Sequence, residues 1–283
     1  MAIIEDMGVD SLPDYTAIIP TYNRKDWVLE AVRSVMSQTH GPHEILVVDD
    51  GSTDDTVKAL EGWPVRVITQ GNAGPSSARN HGTHLAKSEW VAFLDSDDLW
   101  EKDKLRVQME YALSNPEFPL IHTGESWIRN GTPLKQKKHH RKEGGWLYRR
   151  SLELCLISPS SVLMKKSFFL EMGGFDENLP AAEDYDLWLR ICLEHPVGFI
   201  EDPLTIKRGG HGDQLSAQRG IDQYRVVALE KMMAHPRLLE EDRRLTYENL
   251  LERYRRLVIG FKKHGKPEAQ HFEQRLKHWK ENF

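Results

Sequence analysis

The stretch Glu44-Ile45-Leu46-Val47-Val48-Asp49-Asp50-Gly51-Ser52-Thr53-Asp54 passes without a break from a β-branched apolar run into an acidic, glycine-containing turn. A short continuous apolar run ended by turn-forming residues is the pattern of a strand covered on both faces. Similar runs occur at Tyr15 to Pro20, Val65 to Thr69 and Trp90 to Leu94. Amphipathic segments of helix length fill the intervals between them. In Trp27, Ala31, Val32, Val35 and Met36 the spacing puts the apolar groups on one helical face. Strands alternating with helices predict an α/β fold with a mostly parallel central sheet flanked by helices.

Past Leu94 the alternation loosens. A helix is expected from about Lys102 to Ser114, strands near Leu120 to Thr123 and Ser161 to Met164, and a helix from about Ala182 to Glu194. From about Asp213 the chain reads as helix to its end. There Tyr247, Leu250, Leu251, Tyr254, Leu257, Val258 and Phe261 form a stripe at helical spacing, expected to pack on the main domain or in an oligomer contact.

Open α/β sheets bind ligands outside the carboxyl ends of their strands, and acidic or turn-forming clusters follow those ends here. Pro20-Thr21-Tyr22-Asn23-Arg24 follows the first strand and Asp49 to Asp54 the second. Gly71-Asn72-Ala73-Gly74-Pro75, leading to Arg79 and Asn80, follows the third, and Asp95-Ser96-Asp97-Asp98 the fourth. Each has a structural alternative: Asp54 and Asp98 as helix caps, Gly51 as a turn, Pro20 as a strand end. Their recurrence on one sheet edge points to a site. Desolvating the two carboxylates of Asp95-x-Asp97 is costly unless a cation or hydrogen-bond donors compensate, and oxygen clusters suit hard ions such as Mg²⁺ or Mn²⁺. Neither G-x-G-x-x-G after the first strand nor G-x-x-x-x-G-K-[ST] occurs. A nucleoside diphosphate held through a metal fits the remaining pattern.

Taken together, AIIPTYNR, ILVVDDGSTDDT, NAGPSSARN, FLDSDD and GGFDE followed by EDYDLWLR resemble the large family of inverting glycosyltransferases of the GT-A fold, often called family 2. The resemblance runs from about Tyr15 to Ser216 and stops short of the helical tail. It implies an N-terminal extension (1–14), a GT-A domain (15–212) and a C-terminal helical extension (213–283). Within the domain, a Rossmann-like nucleotide-binding half (15–100) would precede an acceptor half (101–212).

The resemblance further implies that Pro20, Thr21, Tyr22, Arg24, Asp50, Gly51 and Arg79 line the nucleoside pocket, with Asp50 suited to a ring N–H of uracil or thymine. Asp95 and Ser96 would lie near ribose or diphosphate and Asp97 on Mn²⁺ or Mg²⁺. Of the Glu183-Asp184 pair, which also fits a helix start enriched in acids, the aspartate would be the catalytic base. His211 would reach the metal or diphosphate. The implied donor is a nucleotide sugar, UDP-linked or else dTDP- or GDP-linked. The implied acceptor is a saccharide or glycolipid hydroxyl, in surface polysaccharide or glycoconjugate synthesis. A nucleotidyltransferase, releasing pyrophosphate, and a catalytically silent nucleotide-sugar binding module are the rivals.

Composition narrows the remainder. With 39% hydrophobic and 29% charged residues the chain falls in the ordinary globular range, and a net charge of -5 offers no general attraction for nucleic acid. Cys155 and Cys192 fit neither a disulfide framework nor a metal spacing and read as small buried hydrophobes. Met1 to Asp14 lacks the apolar run of a secretory signal, and no stretch approaches the ~20 apolar residues that span a bilayer, so a cytoplasmic protein is expected. The basic block Lys135 to Lys142 reads as a solvated loop, with an acceptor-binding or anionic-lipid patch as the alternative. From Arg237 to Phe283 there are 12 Lys or Arg against 8 Asp or Glu, a local excess of 12 − 8 = +4. That leaves open a peripheral contact with a membrane.

Overall fold

Alternate residues of a strand face opposite sides of its sheet, and Tyr15–Thr21 divides in this way between two hydrophobic cores. Ile18 joins one core with Leu46, Val48, Val91 and Phe93, while Ala17 and Ile19 join the other with Ile45, Val47, Ala92 and Leu94. All residues of this strand are buried, as the uninterrupted apolar runs predict. The computed structural model describes residues 12–136, 140–210 and 220–283.

In chain order the elements are β1 (Tyr15–Thr21), α1 (Lys25–Met36), β2 (Glu44–Asp49), α2 (Thr56–Ala59), β3 (Arg66–Thr69), α3 (Gly74–Leu85), β4 (Trp90–Phe93), β5 (Leu99–Trp100), α4 (Lys104–Ser114), β6 (Leu120–Arg129) and β7 (Thr132–Pro133). They continue with α5 (Tyr148–Glu153), β8 (Val162–Lys165), α6 (Lys166–Glu171), α7 (Glu183–Glu194), β9 (Gly198–Gly209), α8 (Asp222–Met233), α9 (Glu240–Lys263) and α10 (Glu268–Asn282). The fold is mixed α/β. Its 9-stranded sheet has the order β3-β2-β1-β4-β8-β6-β9-β5, with β7 paired to β6. The β3-β2-β1-β4 half is parallel throughout. β8 runs antiparallel to both β4 and β6, and β9 runs parallel to β6.

β9 and β5 are not expected from the sequence. The apolar run of β9 is interrupted by Glu201, Asp202 and Pro203, and its register with β6 shifts there, between Thr123 and Glu125. Gly124 permits the shift, because a Cβ at that position would lie 2.3 Å from the carbonyl oxygen of Glu201. After the irregularity, Thr205 and Ile206 pair with β5. This carries Lys207 and Arg208 back toward the acidic turn that follows β4.

The predicted C-terminal stripe is packing. Leu250, Leu251, Tyr254, Leu257 and Val258 are buried, and α9 lies against α5, α8 and α10. Arg253, 4% exposed, donates to the carbonyls of Leu152 and Glu153 at 2.9 and 3.0 Å. The Tyr148 and Thr246 hydroxyls meet at 2.7 Å. These contacts tie the C-terminal helices to α5. No helix among the described residues is long and apolar enough to cross a membrane.

Candidate active site

The loops after β1 and β2 are stitched together by Asn23, whose left-handed backbone (φ 50°) is one that asparagine tolerates. Its side-chain oxygen accepts from the Thr53 N–H at 2.7 Å and its own N–H donates to the Ser52 hydroxyl at 2.8 Å. Gly51 supplies the positive φ of +81° on which the second loop turns. Asp50 then accepts from the Gln70 amide (2.9 Å), the Ala73 N–H (2.9 Å) and the Gly74 N–H (2.8 Å). The loop preceding α3 is therefore wrapped around this carboxylate, which retains little capacity for another donor. Asp54 caps locally, accepting from the Thr56 N–H at 2.9 Å.

The Arg79-Asn80 pair divides its work. Asn80 turns away from the sheet edge and exchanges hydrogen bonds with the backbone of Phe175, accepting its N–H at 3.0 Å and donating to its carbonyl at 2.8 Å. Arg79 enters the site, 5% exposed, and donates to Asp95 at 2.6 Å and to Glu183 at 2.8 Å. Burial opposes the guanidinium's charge, but Asp95 and Glu183 outweigh it and hold the group above the usual arginine value. Burial likewise works against the Asp95 carboxylate, yet Arg79 and Lys207 bring it well below the ordinary range. For Glu183 burial wins over Arg79, and the carboxyl lies above its ordinary value.

Asp98 is not a helix cap. It precedes β5 and is fully buried, accepting from Ser160 at 2.5 Å and from the Arg208 N–H at 3.2 Å while pairing with Lys207. A buried carboxylate needs such partners, and this one locks β9 and the turn before β8 onto the acidic loop. Asp97 is different: it lines the cleft, is 14% exposed at its side chain and pairs with Arg24 at 2.9 Å. Ligand oxygens of Asp95, Asp97 and Asp98 lie within 4.8 Å of one another, but Asp98 is consumed by its partners and Asp95 by Arg79 and Lys207. Counted as fully ionised, Arg24, Arg79 and Lys207 supply +3 against −4 from Asp95, Asp97, Asp98 and Glu183, a formal balance of −1 that burial softens by raising Asp98 and Glu183 above their ordinary values. A bound diphosphate would add further negative charge, so a hard cation held by Asp97 and phosphate oxygens fits this corner. His211 lies outside the described residues.

The acidic start of α7 is also divided by partner. Asp186, 1% exposed, pairs with Arg190 at 3.0 Å and Lys231 at 2.5 Å and is structural. Glu183 is taken by Arg79. Asp184 faces the cleft, accepting from the Tyr185 N–H at 2.7 Å and from the Cys155 thiol at 3.4 Å. Ala182, two residues earlier and just before Glu183, adopts a left-handed backbone (φ 61°), a strained conformation for a residue with a Cβ at the entry to this helix. Cys155 is therefore not an isolated hydrophobe. Burial pushes its thiol well above the ordinary value, Asp184 adds to this, and the thiol stays a donor.

These groups line one cleft of about 950 Å³ that holds Pro20, Thr21, Tyr22, Arg24, Asp50 and Arg79 with Asp95, Ser96, Asp97, Glu183 and Asp184. Gly51 shapes its loop without lining it. The cleft also includes residues that the sequence reading missed. Lys207 and Arg208 arrive on β9. Glu125 is buried at the β6 irregularity and bonded to Lys142 (2.6 Å), Trp127 (3.1 Å) and Ser158. Lys142 thus departs from the solvated-loop expectation, its ammonium also donating to the Leu156 carbonyl at 2.7 Å, whereas Lys135, His140 and Arg141 of the same block are exposed.

Residues 16–168 match the description "Glycosyl transferase family 2". The chain belongs to glycosyl transferase family 2. It is 35% identical over 194 residues to an uncharacterised glycosyltransferase of Rickettsia conorii, a match covering 67% of this chain and 32% of that protein. It is 37% identical over 187 residues to a putative teichuronic acid biosynthesis glycosyltransferase, TuaG, of Bacillus subtilis, covering 63% of this chain and 72% of the relative. The chain spans about a third of the length of the Rickettsia conorii protein and of the uncharacterised glycosyltransferases of Rickettsia felis and Rickettsia bellii. S. aureus TarS 1-349, in a crystal structure with UDP-GlcNAc, superposes with a TM-score of 0.71 at 22% identity, covering 92% of this chain and 78% of that one. That likeness is one of fold, in agreement with the GT-A arrangement. The family match ends before α7, so Glu183 and Asp184 rest on the geometry above.

Proposed function

We propose that this family 2 chain transfers a sugar from a UDP-sugar to a saccharide or glycolipid hydroxyl, with inversion, in polysaccharide or glycoconjugate synthesis. The observation that carries this reading is the convergence in one cleft of the nucleoside-side loops, the Asp97 corner and the open carboxylate of Asp184. Asp50 holds the loop that receives the base, and Arg79 fixes Asp95 and Glu183 on the two sides of the reacting centre. Asp184 takes the proton of the acceptor hydroxyl as its oxygen bonds to the anomeric carbon. The bond from that carbon to the diphosphate breaks on the opposite face, and UDP departs. A Mn²⁺ or Mg²⁺ ion on Asp97 would supply charge neutralisation at the departing diphosphate. Glu183 serves the site through Arg79 rather than by taking the proton.

A panel of nucleotide sugars incubated with the protein and Mn²⁺, without acceptor, tests the reading, because water can replace the acceptor slowly. UDP-sugars are expected to release UDP faster than dTDP- or GDP-sugars release their diphosphates. Pyrophosphate formed instead from a nucleoside triphosphate and a sugar 1-phosphate, or no turnover of any donor, would overturn it.

A further inference from the structure

The cleft does not end at the family-matched region. Ile221 and Arg225 of α8, part of the C-terminal helices, line it together with Cys155 and Asp184. Arg225 and Arg253 converge on one carboxylate oxygen, Oδ1 of Asp222, at 3.3 and 2.6 Å. One negative charge thus answers two positive ones, and Nη2 of Arg253 donates to the carbonyls of Leu152 and Glu153 while its Nε, like that of Arg225, is buried without a hydrogen-bond partner. Arg225 stands 5.6 Å over the Tyr185 ring, and its Nε is buried without a hydrogen-bond partner. A guanidinium held in this way is preorganised for a planar anion such as carboxylate or phosphate.

Lys135 and His140, from the segment between β7 and α5, are exposed and line the same cleft. Lys135 makes no ion pair among the described residues. Glu125, the acid on β6 beside this segment, is neutralised by Lys142. The charges of Arg225 and Lys135 therefore line a concave cleft that also holds Asp184, a shape suited to an anion carried on a saccharide chain rather than to a flat bilayer surface.

We propose that the acceptor is an acidic saccharide. Arg225, with Lys135, receives a carboxylate or phosphate on a sugar unit near the one whose hydroxyl is glycosylated. This rests on the transferase reading above. Because α8 lies outside the family match, Arg225 is a specificity-determining residue of this chain and not of the shared donor site.

The test measures binding of three acceptor probes to the UDP-loaded protein. They are a uronate-containing oligosaccharide, its carboxyl-reduced neutral counterpart, and a polyol-phosphate oligomer. The wild type is expected to bind at least one acidic probe about ten- to a hundredfold more tightly than the neutral one, the range of a hydrogen bond to a charged group. Which acidic probe wins distinguishes carboxylate from phosphate. Arg225→Gln should collapse that ratio and Arg225→Lys should restore part of it; because the ratio is internal to each variant, a partly unfolded sample does not mimic the result. Equal binding of acidic and neutral probes by the wild type, or a ratio insensitive to Arg225→Gln, overturns the proposal. Failure to bind UDP at all would instead sink the transferase reading on which it rests.

Discussion

Asp184→Asn is expected to reduce sugar transfer by about 10² to 10⁴, the range for loss of a general base. The amide keeps the side chain's size and can still accept the Tyr185 N–H, now made to Oδ1 at 2.7 Å, but it cannot take a proton. The loss should therefore appear chiefly in kcat, with donor binding retained. Glu183→Gln is the internal comparison. Adjacent side chains on a helix point about 100° apart, and Glu183 is already committed to Arg79, so its change should be much milder. Steady-state kinetics of both variants decide the matter. Wild-type turnover by Asp184→Asn, or a greater loss in Glu183→Gln, would show that the base is misassigned.

Arg79→Leu is expected to cost about 3 to 5 kcal/mol of stability, the usual consequence of removing one partner from a buried ion pair. Arg79, 5% exposed, is bonded to two carboxylates that would lose their counter-charge together. The pH dependence carries a sign. In the wild type the Asp95 carboxyl lies below its ordinary value, so its contribution is present above the unfolded pKa and lost only as pH falls through the lower folded one. Without Arg79, Glu183 shifts further above its ordinary value and Asp95 shifts upward from its depressed one, with Lys207 and Arg24 still opposing its burial. The variant's deficit should then be largest near neutral pH and narrow toward the ordinary carboxylate range. Denaturant titrations at a series of pH values measure this, and a deficit below about 1 kcal/mol, in the range of exposed pairs, would contradict a buried network.

The parallel half of the fold was legible because its strands are buried on both faces and leave uninterrupted apolar runs. β9 was not, since Glu201, Asp202 and Pro203 break its run where it leaves the regular ladder. Losing β9 hid Lys207 and Arg208, and with them the reason for Asp98. That residue follows the fourth strand as a cap would, but its partners on β9, Lys207 and Arg208, stand more than a hundred positions later. The acidic motifs revealed where the site lies and not how the labour is divided within it. Asp95 and Asp97, or Glu183 and Asp184, are indistinguishable by spacing; only the placement of Arg79 and Lys207 shows that Asp95 and Glu183 are held by buried cations, while Asp97 meets Arg24 at the cleft and Asp184 accepts from the Tyr185 N–H and the Cys155 thiol. The basic block behaved similarly. Lys142 became a buried ion pair because Glu125 stands at an irregularity in β6 that no periodicity announces.

Calorimetric titration of UDP into the wild type and Asp97→Ala, each in Mn²⁺ and in EDTA, addresses the central claim that the cleft holds a nucleotide diphosphate through a metal on Asp97. The wild type should bind about tenfold or more tightly with Mn²⁺ than with EDTA. Asp97→Ala should bind as weakly in Mn²⁺ as the wild type does in EDTA, and removing ion and carboxylate together should cost little beyond either alone, since both break one contact. Equal UDP affinity of the wild type in Mn²⁺ and EDTA, or full Mn²⁺-dependent binding by Asp97→Ala, would contradict the account.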